Sequence, residues 1–315
     1  MSKRRLGRSD LLIEPLVLGT NVVGWTADEK TSFRIFDAFL DEGFTGIDTA
    51  DSYSRWVPGN DSESEKIIGR WLKERRHRDK VHVFTKVGSD MGQGHRDLSA
   101  KWIIEEVDAS LRRLQTDYID LYQSHWPDPR TPQEETLRAH DSLVKAGKVR
   151  FIGTSNHDAE LLTEALDISK REGLARYQTL QNEFNLYSRS AFEGEVQDIC
   201  VREEVSGIHY FALAAGFLTG KYRTPDDADK SPRGKGVVDK YLNDRGRRIL
   251  SVLDKVSAST GAPLSEIALA WVAAQPGVAA PIASATSVEQ LAGLIRGVRL
   301  TLPPEHLEAL GEAGR

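Results

Sequence analysis

The chain has 315 residues, 39% of them hydrophobic and 28% charged, enough to bury a sizeable core in one large domain or two. Its net charge is −5, from 42 basic against 47 acidic residues, and the basic residues are scattered, which excludes a nucleic-acid surface as the organising feature. The single Cys200 rules out an internal disulfide, no run approaches the roughly 18 apolar residues of a membrane span, and the basic residues at 1–5 lack the apolar stretch of a signal peptide, so the expected location is the cytoplasm.

In chain order, residues 3–15 read as a hairpin: 4–6, a turn at 7–10, then 11–13. Leu16-Val17-Leu18-Gly19-Thr20 is the first candidate buried strand. Helical periodicity marks 29–42, 63–76, 99–115, 132–146, 158–172 and 190–203, and short apolar runs mark 45–48, 82–87, 118–123, 149–153, 177–181, 207–211 and 278–282. Strands alternating with helices predict a parallel sheet with right-handed crossovers. Eight such strands close most simply into an α/β fold, a single (β/α)8 TIM barrel over 1–315 with an N-terminal hairpin and extra helices. A doubly wound sheet is the rival, but no G-x-G-x-x-G follows the first strand. Residues 212–240 are a long polar stretch without period, which is either disordered or a lid over a bound cofactor. The 301–314 tail, opening Pro303-Pro304-Glu305, predicts a helix beyond the barrel.

Gly43 closes the first long helix, and Asp48 sits where the short strand after it runs out. In a barrel that end carries the chemistry. Tyr53 follows five residues later, Lys86 lies near the end of the third strand, and His125 ends the fourth. Taken singly, each has a bland reading: Asp48 as a cap, Tyr53 as a surface aromatic, Lys86 as a snorkelling cation, His125 as a core residue. Together, at three consecutive strand ends, they can move a proton. A free phenol titrates near ~10; a buried ammonium beside it lowers that value, and a carboxylate keeps the ammonium charged. A histidine can donate to a carbonyl oxygen and support developing charge. Such a set protonates a carbonyl oxygen while hydride reaches the carbon, or does the reverse to an alcohol.

The pattern Gly43-x-x-x-x-Asp48-Thr49-Ala50-x-x-Tyr53, with Leu121-Tyr122-Gln123-x-His125, resembles the signature of the aldo-keto reductases, and the likeness runs from Leu16 to Leu291. It implies Tyr53 as proton donor, Lys86 as its tuner, Asp48 as anchor and His125 as the orienting donor. It also implies a nicotinamide cofactor. Ser155, Asn156 and Gln181 match the residues that hold the nicotinamide amide. Tyr210 matches the aromatic under the ring, with plain core packing as its alternative. The segment 211–221 is similar to the family's S-P-L-x-x-G-x-L-T-G-K stretch around the pyrophosphate, with Phe211 and Ala212 replacing Ser and Pro; Leu213, Gly216 and Lys221 are its cofactor-binding candidates. Gly19, Thr20 and Asp48 join them from the first two strand ends.

The last piece is 282–291, a strand running into a helix N-terminus, a placement suited to phosphate, with Ser284, Thr286 and Gln290 as candidates. Ser284 and Gln290 stand where many members carry the Lys and Arg that grip a 2′-phosphate, and Gly293 and Leu294 replace an adenine-binding Glu-Asn pair. Ser and Gln are normal in the branch that includes potassium-channel β subunits, so the chain is closer to that branch than to the aldose-reductase branch. NADP(H) is the preferred cofactor and NAD(H) the alternative, with either Lys221 or Arg296 to supply the missing charge.

Trp56 and Trp126 either wall the substrate pocket or pack on the barrel. The first reading gives a broad aromatic site for sugars, aryl alcohols or polycyclic secondary alcohols. Eight scattered histidines and one cysteine offer no metal set. The function expected is interconversion of a small-molecule carbonyl and an alcohol, without a nucleic-acid or membrane partner, homo-oligomerisation being left open. A nicotinamide-binding regulatory or redox-sensing subunit with slow turnover is the alternative, and a barrel lyase or isomerase a weaker one.

Overall fold

A computed structural model describes residues 2–315. The apolar runs become a ring. Strands β1 (Arg4–Arg5) and β2 (Leu12–Ile13) form an antiparallel hairpin, and eight parallel strands close the barrel: β3 (Val17–Gly19), β4 (Gly46–Asp48), β5 (His82–Val87), β6 (Ile119–Ser124), β7 (Val149–Ser155), β8 (Tyr177–Gln181), β9 (Ser206–His209) and β10 (Val278–Ala283). The ring shuts where Ile282 pairs with Val17. Around it run α1 (Glu29–Asp41), α2 (Glu63–Arg75), α3 (Ala100–Leu114), α4 (Gln133–Lys145), α5 (Ala159–Glu172), α6 (Glu195–Glu203), α7 (Gly234–Tyr241), α8 (Asp244–Thr260), α9 (Leu264–Ala273), α10 (Val288–Arg299) and α11 (Pro304–Ala313). Side-chain caps start several of them: Asp28 accepts from Thr31 N, Ser99 from Trp102 N and Ser287 from Gln290 N.

Strand alternation sorts the barrel into two apolar layers. On β5, Phe84 faces the barrel axis with Val17, Leu121, Ile208 and Ile282, while Val83 and Val87 face the helices. Leu6, Leu11 and Ile13 of the hairpin join the axial cluster and plug the end away from the strand C-termini. Two residues beyond Phe84 and Leu121, the same inward face carries Lys86 and Gln123, so the top layer of the barrel is polar. Gly153 makes room there: a Cβ would fall 2.2 Å from Thr179 Oγ1. Cys200 is buried in the outer layer, its thiol pushed up to about 12 by burial.

Two expectations need correction. Residues 212–240 are ordered: 3-10 turns at Ala214–Thr219 and Pro225–Lys230 lead into α7. The turns are too short to show a period, and the Asp227 carboxylate holds the second by accepting from Arg223 N and Thr224 N. The helix expected at 190–203 begins only at Glu195, after Gly194 at φ +86°. Helices α8 and α9 were not anticipated. All of α9 from Glu266 to Ala273 is buried, so it has no polar face to alternate with. Helix α8 ends in Ser257, Ser259 and Thr260 and carries Gly246 against the Tyr241 carbonyl, which weakens its helical signal.

Candidate active site

Strands β4, β5, β6 and β8 deliver one buried network. Lys86, 0% exposed, donates to Asp48 Oδ2 at 2.6 Å, to the Thr49 carbonyl at 2.7 Å and to Tyr53 Oη at 3.1 Å. That uses all three donors of an ammonium. The other Asp48 oxygen accepts from Gln181 Nε2 at 2.9 Å and Gln123 Nε2 at 3.2 Å. His125 is anchored by its backbone N–H to the Val87 carbonyl, and its ring centroid lies 6.0 Å from that of Tyr53. Its Nδ1 lies 2.9 Å from Ser89 Oγ, which leaves Nε2 without a partner among the described residues. The structure therefore brings Asp48, Tyr53, Lys86 and His125 together, and adds Gln123 and Ser89, to which the sequence reading gave no role.

Burial opposes the charge on Lys86, yet Asp48 and Tyr53 together hold its pKa above the ordinary value. His125 lies well below its ordinary value, through burial first and then the charges of Lys86 and Arg96, so its imidazole is neutral. The expected lowering of the Tyr53 phenol is not found. Burial, reinforced by the Asp48 carboxylate, raises it more than Lys86 lowers it, so the phenol keeps its proton and is a donor at rest.

A second chain of polar contacts runs along the rim. Tyr210 Oη donates to Asn156 Oδ1 at 2.8 Å, Asn156 Nδ2 to the His125 carbonyl and Ser155 Oγ, both at 3.0 Å, and Ser155 Oγ to the Gln181 carbonyl at 2.5 Å. Leu213, Gly216 and Lys221 share the turn after β9, where Ala214, Ala215 and Gly216 all have positive φ. Only Gly216 adopts that conformation without steric cost. Lys221 Nζ lies over Gly216 and is exposed, without a carboxylate partner among the described residues. Gly19 abuts Ser284, whose Oγ donates to Asn21 Oδ1 at 2.8 Å. Gln290 folds back on its own helix start, its Oε1 accepting from Thr286 N and Thr286 Oγ1. Two expectations change here: Thr20 is turned away from the barrel axis toward α2, its hydroxyl donating to the Asp48 carbonyl and accepting from Ser64 Oγ, and Arg296 is spent on the buried Glu266 at 2.8 Å.

Trp56 stands at the mouth, 51% exposed, edge-on to Tyr53 at 6.2 Å and to Trp25 at 5.8 Å. Trp126 stacks on His125 at 5.6 Å. Both tryptophans thus flank the Tyr53 and His125 rings. Trp25 carried no signal, because nothing in its local sequence tells that the loop after β3 returns to the pocket.

Behind the network lies a second acidic cluster. Asp51 is 0% exposed, and neither carboxyl oxygen has a hydrogen-bond partner among the described residues. Burial, then Glu65 and Glu106, pushes its carboxyl well above the ordinary range. Arg113 pairs instead with Glu65 at 2.6 Å and with Glu106, and the nearby Tyr122 hydroxyl is also unpartnered. Among the described residues no group of three or more His, Cys, Asp or Glu is placed to hold a metal, and no helix is long and apolar enough to cross a membrane.

Comparison with known proteins gives one consistent result. The model of the aldo/keto reductase family matches residues 15–315. The chain is 36% identical to the aldo-keto reductase YhdN of Bacillus subtilis, over 91% of this chain and 86% of the relative. It is 35% identical to an uncharacterized oxidoreductase, YrpG, of the same organism, over 98% and 94%. A probable voltage-gated potassium channel subunit beta of Oryza sativa is 32% identical over 92% and 89%.

Proposed function

The chain belongs to the aldo/keto reductase family, whose members are oxidoreductases of carbonyl compounds, and on that premise we propose that it is an NADP(H)-dependent carbonyl reductase with Tyr53 as general acid. The observation that carries this reading is the buried Lys86, bonded at once to Asp48 and to Tyr53 Oη. A bound nicotinamide supplies the hydride, or accepts it when an alcohol is oxidised. The chain does the rest. Tyr53 gives its proton to the carbonyl oxygen, and the phenolate left behind is stabilised by the ammonium 3.1 Å away. With its three donors engaged, Lys86 cannot swing aside, so the stabilising charge is in place before the proton moves. The neutral His125 presents Nε2–H to the same oxygen and orients it.

The rim fits a nicotinamide nucleotide. Tyr210 is half-buried at the mouth, where its ring face would carry the nicotinamide. Gln181 spends its amide N–H groups on Asp48 and Gln123 and keeps Oε1 for a carboxamide, beside Ser155 and Asn156. Leu213, the left-handed turn at 214–216 and the capped start of α10, with Gly19, Ser284, Thr286 and Gln290 nearby, would line the phosphates. With Arg296 engaged by Glu266, Lys221 is the cation for a 2′-phosphate. Lys221→Ala should therefore weaken NADPH at least ~5-fold more than NADH, as for a lost charged hydrogen bond; equal weakening of both nucleotides would remove that role.

The direct test follows NADPH and NADH oxidation with 4-nitrobenzaldehyde and with a quinone, for wild type and Tyr53→Phe. Loss of the general acid should cost about 10²–10⁴ in kcat with nucleotide binding nearly unchanged. A Tyr53→Phe protein within a few-fold of wild type would sink the assignment. The similarity to a channel β subunit favours one second reading, a nucleotide-binding regulatory subunit. Tight nucleotide binding without turnover in either protein would select it.

A further inference from the structure

The five rings around the reacting position form one continuous arc. Trp25 meets Trp56 at 5.8 Å, Trp56 meets Tyr53 at 6.2 Å, Tyr53 meets His125 at 6.0 Å, and His125 stacks on Trp126 at 5.6 Å. Each end of the arc carries a guanidinium on an indole face: Arg233 lies 4.8 Å over Trp25 and Arg96 4.5 Å over Trp126. These two come from distant parts of the chain, Arg96 from the loop after β5 and Arg233 from just before α7.

Neither guanidinium has a carboxylate within 4.0 Å or a hydrogen-bond acceptor among the described residues, whereas neighbouring Arg55 is tied to Asp61 and to the Met91 carbonyl. Stacking does not neutralise a guanidinium. It contributes about 0.5–1 kcal/mol at an exposed site and leaves the in-plane N–H fork free for a bidentate anion. Arg233 is half-buried and its charge is disfavoured by that burial, a cost that a counter-ion would relieve. Arg96 is close enough for its charge to bear on His125, and both meet the Trp126 ring.

We propose that the site selects aromatic carbonyl compounds bearing a carboxylate, their ring laid along the tryptophan arc and their anionic end held by Arg96 or, for longer molecules, Arg233. The carbonyl would then fall at Tyr53 and His125, in the middle of the arc. This inference rests on the reductase reading of the same site, and its test separates the two.

With NADPH as reductant, kcat/KM is measured for 4-carboxybenzaldehyde and for its neutral analogue, methyl 4-formylbenzoate, in wild type, Arg96→Gln and Arg233→Gln. The readout is the ratio of the two values, so a loss common to both substrates does not count. Wild type should favour the acid ~10-fold or more, the worth of a charge-assisted hydrogen bond, and Arg96→Gln should bring the ratio near one. A wild-type ratio at or below one, or a ratio unchanged in both variants, overturns the proposal. Quenching of tryptophan fluorescence by 2-naphthoate, against 2-naphthalenemethanol, needs no turnover. Naphthoate bound by wild type and not by the variants supports the anion site even if neither aldehyde is reduced, and that failure would then fall on the reductase reading alone. If naphthoate binds no better than the alcohol, the anion site is refuted whatever the kinetics show.

Discussion

Asp48 and Asp51 lie three residues apart and are equally hidden from water, at 1% and 0% exposure, yet they sit in opposite electrostatic settings. Asp48 ends β4 on its inward face and receives an ammonium and two amides. Asp51 lies past the turn, between the barrel wall and helices α2 and α3, with two other carboxylates near it and the one arginine there committed to them. Burial raises the cost of charge at both places; what differs is compensation. Two acids in one six-residue stretch, Asp48-Thr49-Ala50-Asp51-Ser52-Tyr53, thus differ in their partners: Asp48 is held by an ammonium and two amides, while burial and neighbouring carboxylates push Asp51 well above the ordinary range.

The largest effect expected comes from making the first setting resemble the second. Lys86→Met leaves Asp48 buried without its cation, and loss of one partner of a buried pair costs about 3–5 kcal/mol. Urea unfolding at pH 7 should show that loss, together with abolished turnover. A change under ~1 kcal/mol would mean that the pair does not hold the strand ends together.

A smaller effect sharpens the comparison from the other side. Because the Asp51 pKa is raised in the fold, the native state keeps a proton that the unfolded chain releases. Its contribution is whole below the ordinary carboxylate range and is lost as pH rises toward the folded value, by at most about 1.4 kcal/mol per pH unit. His140 and His157, each held near about 4, and His209, near about 3, are lowered by burial and act with the opposite sign. Their stability is present above the ordinary histidine value of ~6.5 and is lost as pH falls through it. Stability should therefore climb toward about pH 6.5, less steeply than the histidines alone would make it, because Asp51 acts against them. Asp51→Asn should remove that opposing slope from the ordinary carboxylate range of ~4 upward, so the variant's stability should rise more steeply with pH than that of wild type. Equal slopes in the two proteins would show Asp51 already ionised.

Much of the barrel was legible because strand and helix periods differ. The runs at 82–87 and 177–181 coincide with β5 and β8. What escaped has a physical reason in each case: α9 is buried from Glu266 to Ala273 and shows no alternation, and the 214–230 turns are too short to show a period. At the site, Asp48, Tyr53, Lys86 and His125 were readable because consecutive strand ends must meet. Gln123 was in view as part of a motif, but its task appears only once β6 places it two residues above Leu121 on the inward face. The role offered to Arg296 failed because its partner, Glu266, belongs to the helix that had left no signal. The direction of the Tyr53 shift was beyond reach of residue types, since it depends on how burial and one ammonium balance.

The chemistry of Cys200 also makes the molecule convenient to watch. Its thiol is buried and stays protonated at neutral pH, so a maleimide has no native target on the folded chain. One cysteine introduced at Ser231, on the segment that carries Arg233 across to Trp25, would be the sole labelling site. A fluorophore there would report whether that segment moves over the mouth, against an otherwise silent background and with Cys200 left in place.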